Sequence, residues 1–282
     1  MPSAGYAAPS ASRSAVAEMP ADLDALDWPG SIRGINGLEP GLKRQIYLTL
    51  IPGNLLEQFG VSPDDEELLQ IRAPAHTRAV KMVLYHERGA RDPVLYLHMA
   101  DTMNFQIALL LLVINDPHAE RFNTDIDEAG LPTQFGTLRR NIPEEIRAMQ
   151  AGLSPGQVRR GLRISGEAVP TFERFIQRTG HDMVIIEPLT YHNAITYERY
   201  GFGYFQGRSR LEWIDHVLRP GGELFDRFDG STPFRQPDAW RSIRGRSWAI
   251  HDGILGEPLG DIRMVKRIGQ HAGVNTFPDG VW

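Results

Sequence analysis

Two spacings of apolar residues divide the chain into predicted helices and predicted strands. Between residues 38 and 60 apolar residues recur every three to four positions, and Pro52-Gly53 interrupts them, which predicts two short amphipathic helices joined by a turn. Three apolar runs rich in β-branched and aromatic residues then predict strands, and short turns separate these runs at 79–87, 93–100 and 106–115. Consecutive strands joined by short turns favour an antiparallel meander. The unbroken apolar run at 106–115 is typical of a central strand that is covered on both faces.

Helices and strands alternate in the second half of the pattern. The sequence predicts helices over 141–152 and 168–180, a strand over 182–189, a short helix that ends at Gly201, and a strand over 202–207. The whole order predicts an α+β fold. Its mixed central sheet would consist of an antiparallel meander that continues into a strand-helix-strand-helix-strand unit.

Composition separates three parts of the chain. Residues 1–30 are rich in Ala, Ser and Pro and lack a periodic apolar face, which predicts a disordered tail. Residues 31–207 carry the predicted sheet and helices and form the main domain, with a long insert at about 116–152. Residues 208–282 begin with an amphipathic helix and continue with a segment rich in Arg, Gly, Pro and Trp. That segment has too few periodic apolar stretches for a core of its own, so we expect an irregular wrap on the same domain.

Charge and composition exclude several classes of function. The chain has 282 residues, a net charge of −5 and a pI near 6.0, which gives no electrostatic basis for binding nucleic acid or an anionic membrane. The absence of cysteine excludes disulfides, cysteine nucleophiles, iron–sulfur clusters and thiolate zinc sites, and it fits a reducing cytoplasm. The longest apolar run, Ile107–Ile114, is far shorter than the ~20 residues that span a bilayer. We therefore expect a cytoplasmic protein with a small-molecule substrate, and the sequence leaves a homodimer open.

Two stretches carry candidate chemistry. The first, LSPGQVRRGL at 153–162, is a basic turn with a glycine that enters a helix, and backbone N–H groups at such a turn bind phosphate. The second, TYERYGF at 196–202, joins the last predicted helix of the main domain to its last strand. Together with FERFIQRTGHDMVIIEP at 172–188 and the predicted order of elements, these stretches resemble the GNAT superfamily of acyl-CoA-dependent N-acyltransferases. The resemblance covers about residues 40–207.

The resemblance implies an acyl-CoA co-substrate, an amine acceptor, and splayed strands that hold the acyl thioester between them. The tyrosine that matches Tyr197 would protonate the departing thiolate, because a phenol can deliver its proton inside a water-poor cleft. A backbone N–H of the strand at 106–115 would polarise the thioester carbonyl. The residues that would contact the co-substrate are Val158, Arg159, Arg160, Gly161 and Asn193.

The glycine turn departs from the family's signature, which is Gln or Arg, two residues, Gly, one residue, and then Gly or Ala. With Gly161 as the first glycine, Val158 and Arg163 stand at the two ends of the signature. Two alternatives therefore stay open. One is a fold of this type that carries out metal-dependent or other CoA-independent chemistry, and the other is a ligand-binding module without catalysis.

Histidines supply the remaining candidates. Glu187 and His192 lie near the end of a predicted strand and in the helix after it, where they could orient and deprotonate an amine or ligate a metal. Ser247 together with His251 and Asp252 suggests a hydrolase triad. Because adjacent residues on a strand face opposite sides, we expect a structural role for that pair instead.

Overall fold

A seven-stranded mixed sheet forms the centre of the protein. The computed structural model describes residue 23, residues 25–136 and residues 138–282. The strands are β1 (Leu69–Arg72), β2 (Ala79–Leu84), β3 (Leu95–Asp101), β4 (Ile107–Ile114), β5 (Met183–Ile186), β6 (Gly203–Gln206) and β7 (Arg263–Arg267). The α-helices of the described residues are α1 (Ile32–Asn36), α2 (Pro40–Leu48), α3 (Leu55–Gln58), α4 (Ile142–Gln150), α5 (Ser165–Arg178), α6 (Tyr191–Arg199), α7 (Arg208–Val217) and α8 (Ile243–His251). The predicted α+β class is confirmed.

The strands lie in the order β1-β2-β3-β4-β5-β7-β6. The first four pair antiparallel in chain order, which confirms the predicted meander and adds β1, which the pattern does not predict. β4 pairs with β5 in parallel, and β7 pairs antiparallel with β5 on one side and with β6 on the other. The C-terminal segment therefore supplies a central strand, where the sequence predicts only an irregular wrap. Five residues with basic ends, RMVKR, give no strand signal until the sheet buries Met264 and Lys266.

One face of the sheet is buried, and the other is more exposed. Leu97 of β3 and Leu109 of β4 lie on the buried face, in one core with Tyr47 of α2 and Phe175 of α5. The rings of Tyr47 and Phe175 stack with their centroids 6.3 Å apart. On the other face Leu110 stays 43% exposed. The expectation that β4 is covered on both faces is therefore not met at Leu110, and the neighbouring Leu111 and Val113 on that face are only half-buried.

β4 and β5 separate after two pairs of residues. Ala108 pairs with Ile185 and Leu109 pairs with Ile186, and no further pairing joins these strands in the described chain. At the same point the register between β3 and β4 shifts across a bulge at Leu110, and a bulge bends its strand. The edge of β4 beyond Leu109 therefore faces an opening in the sheet, and its backbone polar groups on that side have no strand partner.

The packed part of the chain begins before residue 31. Leu23 and Trp28 belong to the core, and the ring of Trp28 lies 5.7 Å from the ring of Phe175. The Nε1 of Trp28 donates a hydrogen bond to the carbonyl of Leu23 (3.3 Å). The end of the predicted tail over 1–30 is thus held by two apolar side chains, and its residues 1–22 and 24 lie outside the described residues.

Buried polar contacts join the C-terminal segment to the rest of the domain. Glu198 of α6 accepts hydrogen bonds from the backbone N–H (2.9 Å) and the Oγ1 (2.7 Å) of Thr276 and from the hydroxyl of Tyr204 (2.5 Å). The guanidinium of Arg246 in α8 donates to Asp215 of α7 (2.7 Å). A second cluster of buried residues connects this segment to the insert and contains Phe122, Ala148, Leu153, Phe234 and Trp248.

Candidate functional site

An apolar cavity of about 200 Å³ lies beside the point where β4 and β5 separate. Leu109, Leu112 and Ile114 of β4 form one wall. The opposite walls come from the N-terminal half of α5 and from one side of α6. The side from α6 carries Asn193, Thr196 and Tyr197, because positions three and four apart lie on one face of a helix, and Tyr200 at the end of this helix continues the same face. Residues of the stretches at 172–188 and 196–202 therefore line one cavity.

Tyr197 is held in an apolar setting within this cavity. Its ring packs against Phe202, with the centroids 5.2 Å apart, and burial raises the pKa of Tyr197 to about 12. Its hydroxyl makes no hydrogen bond to any described residue. The same holds for the side-chain amide of Asn193, one helical turn before Tyr197. A phenol with this pKa stays protonated at neutral pH, so Tyr197 can donate a proton but cannot act as a base.

The turn before α5 presents free backbone N–H groups. Two hydrogen bonds hold the turn against the insert, from Phe122 N–H to the carbonyl of Val158 (2.8 Å) and from Asp116 N–H to that of Arg160 (2.8 Å). The N–H groups from Arg160 to Gly166 donate to no acceptor in the described chain. Gly161 lies so close to the end of β4 that an added Cβ would sit 3.1 Å from the carbonyl oxygen of Ile114. Free N–H groups beside the start of a helix form a site for an anion.

Three arginines surround the mouth of the site, and we call Arg160, Arg163 and Arg244 the arginine mouth. They line a cavity of about 470 Å³ that shares Ile114 and Thr196 with the apolar cavity. None of the three forms an ion pair with a described carboxylate. Burial, and then the charges of Arg160 and Arg163, lower the pKa of Arg244. Unpaired like charges repel one another, so a bound anion would relieve the repulsion.

Arg159 has a structural contact where the resemblance implies a ligand contact. Its Nε donates to Asp92 (2.9 Å), and one terminal nitrogen donates to the carbonyls of Pro117 (3.1 Å) and Ala119. Its side chain lines none of the described cavities. The neighbouring Arg160 has different surroundings, since it lines the cavity of about 470 Å³. Arg159 therefore fastens the turn to the start of the insert.

His192 and Glu187 do not come together as base and orienting group. The Nδ1 of His192 lies 2.9 Å from Ser247 Oγ and 3.0 Å from Thr190 Oγ1. Burial, and then the charges of Arg244 and His251, lower the pKa of His192 to about 3, so its ring is neutral at neutral pH. Glu187 is exposed and accepts a hydrogen bond from Arg263 (2.8 Å). The partner of His192 is thus Ser247 of the C-terminal segment, and no local signal in the sequence could identify that contact.

A third, larger cavity of about 730 Å³ lies between the insert and the C-terminal segment, and we call it the outer cavity. Phe135, Leu189, Ser247, His251 and Leu259 are among the residues on its wall. A connecting cavity of about 290 Å³ shares residues with the outer cavity and with the apolar cavity. These shared residues are Phe135, Pro155, Leu189 and Thr190 on the outer side and Leu112, Ile114, Asn193 and Thr196 on the inner side. The cavities thus meet on both sides of the end of β4.

His251 belongs to a charged network behind the outer cavity. Its Nε2 lies 3.2 Å from Glu145 of α4, whose carboxylate also accepts a hydrogen bond from Arg140 (2.9 Å). Arg140 donates in turn to Asp252 (3.0 Å). Ser247 is hydrogen-bonded to His192 and not to His251, so these contacts form no hydrolase triad. The insert and α8 are held together by these ion pairs.

Two searches of the described residues concern metal-binding groups and membrane-spanning helices. No three His, Asp or Glu side chains of the described chain come together as a metal-binding group. No helix of that part is long and apolar enough to cross a membrane.

The start of α5 coincides with a second register of the signature that the resemblance implies. This signature also fits five positions later, where Arg163, Gly166 and Ala168 have the spacing Arg, two residues, Gly, one residue, Ala. This register coincides with the start of α5 at Ser165, so the signal was present in the sequence. Arg244, by contrast, lies 76 positions after Ala168 in α8, and only folding brings it to the mouth. Comparisons with models of protein families, with curated proteins and with solved structures gave no match.

Proposed function

We propose that the protein is an acyl-CoA-dependent N-acyltransferase that acts on a small amine. The proposal depends on one observation: three features adjoin one another at the point where β4 and β5 separate. An apolar cavity with Tyr197 on its wall opens toward free backbone N–H groups and toward the arginine mouth. This combination suits an elongated ligand with an apolar thioester at one end and phosphates at the other.

The topology of the sheet supports the same proposal. In the resemblance, splayed strands hold the thioester, and β4 and β5 separate beyond Leu109. The resemblance also expects β4 to supply a backbone N–H to the thioester carbonyl. Beyond Leu109 the edge of β4 lacks a strand partner in the described chain, so such an N–H is available. The shifted register of the signature, with Arg163 and Gly166 at the start of α5, supports a diphosphate at this helix.

The diphosphate would be bound by charge and by backbone donors together. Arg163 and Arg244 would form charge-assisted hydrogen bonds to it, each worth about 1.5–3 kcal/mol in a favourable setting. Val158 and Gly161 would contribute backbone surface close to the end of β4. Asn193, whose amide is free, would donate or accept along the arm that connects the phosphates to the thioester.

The transfer step assigns each proton to a group. The amine lone pair attacks the thioester carbon, and the negative charge that develops on the oxygen would be stabilised by an N–H at the open edge of β4. Collapse forms the amide and breaks the carbon–sulfur bond, and Tyr197 gives its proton to the departing thiolate. The proton lost by the amine nitrogen restores the phenol through water. His192 does not serve as the base in this scheme, because a pKa of about 3 makes it too weakly basic.

The acceptor would enter from the outer cavity and reach the thioester through the connecting cavity. The wall of the outer cavity comes largely from the insert and the C-terminal segment, which lie outside the sheet and the helices named in the resemblance. The connecting cavity, by contrast, is lined mainly by β4, the turn at 154–158 and the start of α6. Among the described residues, none on the wall of the outer cavity is acidic, which favours a neutral or apolar amine over a polycation.

Isothermal titration calorimetry with acetyl-CoA and longer acyl-CoA esters tests the proposal. We expect stoichiometric binding that weakens as salt is added, because charge at the arginine mouth contributes to it. Absence of heat with every ester would overturn the proposal. A non-catalytic binding module would bind the ester but would show no difference in activity between the native protein and a Tyr197→Phe variant.

A further inference from the structure

The apolar cavity extends well beyond the space that the opening between β4 and β5 requires. β3 lies on the far side of β4 from β5, yet Leu95 and Leu97 of β3 line the cavity. Leu50 and Pro52, from the turn between α2 and α3, and Phe172 of α5 close it from above. The cavity therefore runs sideways beneath β4, into the layer between the sheet and the helices.

The chemistry of this inner part is that of a hydrocarbon site. Glu173 and Lys266 are the charged side chains that line the cavity in the described chain, and their atoms lie 3.2 Å apart as an ion pair. Lys266 also donates to the carbonyls of Tyr200 (2.9 Å) and Gln270 (2.6 Å), so the protein itself supplies partners for its charge and for two of its N–H groups. Cavities lined by apolar side chains stay dry and accept apolar ligands. The uncharged polar side chains on the described wall come from the start of α5 and from the α6 side, whereas the part beside Leu95, Leu97 and Phe172 is lined by apolar side chains.

The volume indicates how long the hydrocarbon can be. A methylene group occupies about the same volume as a water molecule in the liquid, roughly 30 Å³. The cavity of about 200 Å³ then holds roughly six or seven methylene groups. An acetyl group would fill only a small part of it and would leave an empty space beside Leu97 and Phe172.

We propose that this cavity binds the acyl chain of the donor, and that the donor is a straight-chain, medium-length acyl thioester of about six to eight carbons. The inference rests on the proposed function for the identity of the thioester, but the hydrocarbon site itself depends only on the cavity. The chain would lie along the buried face of β4, with its carbonyl at the opening near Leu110 and its tail between Leu97 and Phe172. Chain length would then select the donor through burial of apolar surface.

A titration series of acetyl-, butanoyl-, hexanoyl-, octanoyl- and decanoyl-CoA with the native protein tests the inference. We expect Kd to fall about fourfold for each added methylene, the change that corresponds to about 0.8 kcal/mol, and to level off near eight carbons. Equal Kd values for acetyl-CoA and octanoyl-CoA would overturn the inference and leave the proposed function standing. Since this series uses the native chain, it does not depend on the folding of any variant.

A variant that fills the cavity supplies a second test. Val169 of α5 is half-buried on the cavity wall, so Val169→Phe should abolish the fall in Kd between acetyl-CoA and octanoyl-CoA. The matched control is Val265→Phe, which makes the same change at a half-buried position of β7 that lines none of the described cavities. We expect no change in either Kd for the control. Equal losses in both variants would contradict the assignment of the cavity.

Titration with octanoate separates failure of this inference from failure of the proposed function. Binding of octanoate to the native protein and its loss in Val169→Phe, with no binding of any CoA ester, would retain the hydrocarbon site and overturn the acyltransferase. Absence of binding for both octanoate and every CoA ester would overturn both. Binding of acetyl-CoA without any binding of octanoate or any preference for longer chains would overturn only the hydrocarbon site.

Discussion

Two arginines of one turn provide a sharp test, because the structure gives them different tasks. Arg163 lies at the arginine mouth without a carboxylate partner, whereas Arg159 is bound to Asp92 at 2.9 Å and to two carbonyls. Replacement of either residue by Gln removes one charge and keeps a polar side chain of similar length. The pair of variants therefore separates ligand binding from stability within a single stretch of sequence.

The expected magnitudes follow from these contacts. Hydrogen bonds to charged groups contribute about 1.5–3 kcal/mol, and the exposed position of Arg163 places it at the low end, so Arg163→Gln should raise Kd for acyl-CoA about tenfold. Its effect on the free energy of unfolding should stay within about 0.5 kcal/mol, since no described carboxylate loses a partner. Arg159→Gln should lower the free energy of unfolding by about 1.5–2 kcal/mol. The loss is limited because Arg121 still donates to Asp92 at 2.8 Å.

Calorimetry of acyl-CoA binding and thermal unfolding measure the two effects side by side. A loss of about 1.5–2 kcal/mol lowers Tm by roughly 3–8 °C in a domain of this size. We expect a higher Kd with native Tm for Arg163→Gln, and a lower Tm with native Kd for Arg159→Gln. The reasoning is refuted if Arg159→Gln weakens binding tenfold at unchanged Tm, because Arg159 would then contact the ligand.

Three further variants test single contacts. Tyr197→Phe should lower kcat by a factor of about 10²–10⁴, which is the usual contribution of a general acid, and should leave Kd for acyl-CoA unchanged. Equal kcat values for the variant and the native protein in a steady-state assay would contradict the role of Tyr197. His192 has a folded pKa of about 3 against 6.5 unfolded, so the unfolded chain binds more protons between these values. The contribution of His192 to the free energy of unfolding should therefore be fully present above pH 6.5 and should be lost as the pH falls toward 3, by at most about 1.4 kcal/mol per pH unit. Denaturant titrations at several pH values should show that the free energy of unfolding of His192→Gln depends less steeply on pH. An equally steep dependence in the variant would contradict the burial argument. Glu198→Gln should lower the free energy of unfolding by about 1–3 kcal/mol, because the carboxylate accepts three hydrogen bonds from Thr276 and Tyr204; urea midpoints equal to native would show that these contacts do not hold the C-terminal segment.

The elements of the main domain could be predicted because each carries its own signal. The runs at 79–87, 93–100 and 106–115 are strands in the structure, and the helix over Tyr191–Arg199 ends just before Gly201, which has a φ of +81°. Gly201 marks the stop because glycine adopts such a φ without strain. β1 and β7 were beyond prediction, because four and five residues with mixed polarity become strands only when neighbouring strands complete their hydrogen bonds.

The candidate site divides in the same way. Tyr197, Arg160, Gly161 and Asn193 were identified from local motifs, and the structure brings all four to the cavities at the end of β4. The direction of a neighbouring side chain was not predictable. Arg159 therefore turned out to bind Asp92, which lies 67 positions earlier in the chain.

By itself, the sequence determined the α+β class, the antiparallel meander and the motif residues, because periodic apolar positions and glycine turns act over a few residues. Only the tertiary structure decided that β4 separates from β5 beyond Leu109 and that Arg244 and Arg163 line one cavity. It also decided that the side chain of His192 is hydrogen-bonded to Ser247. These contacts join residues tens of positions apart. Their formation depends on how buried surfaces and backbone hydrogen bonds are satisfied across the whole domain, which no local pattern records.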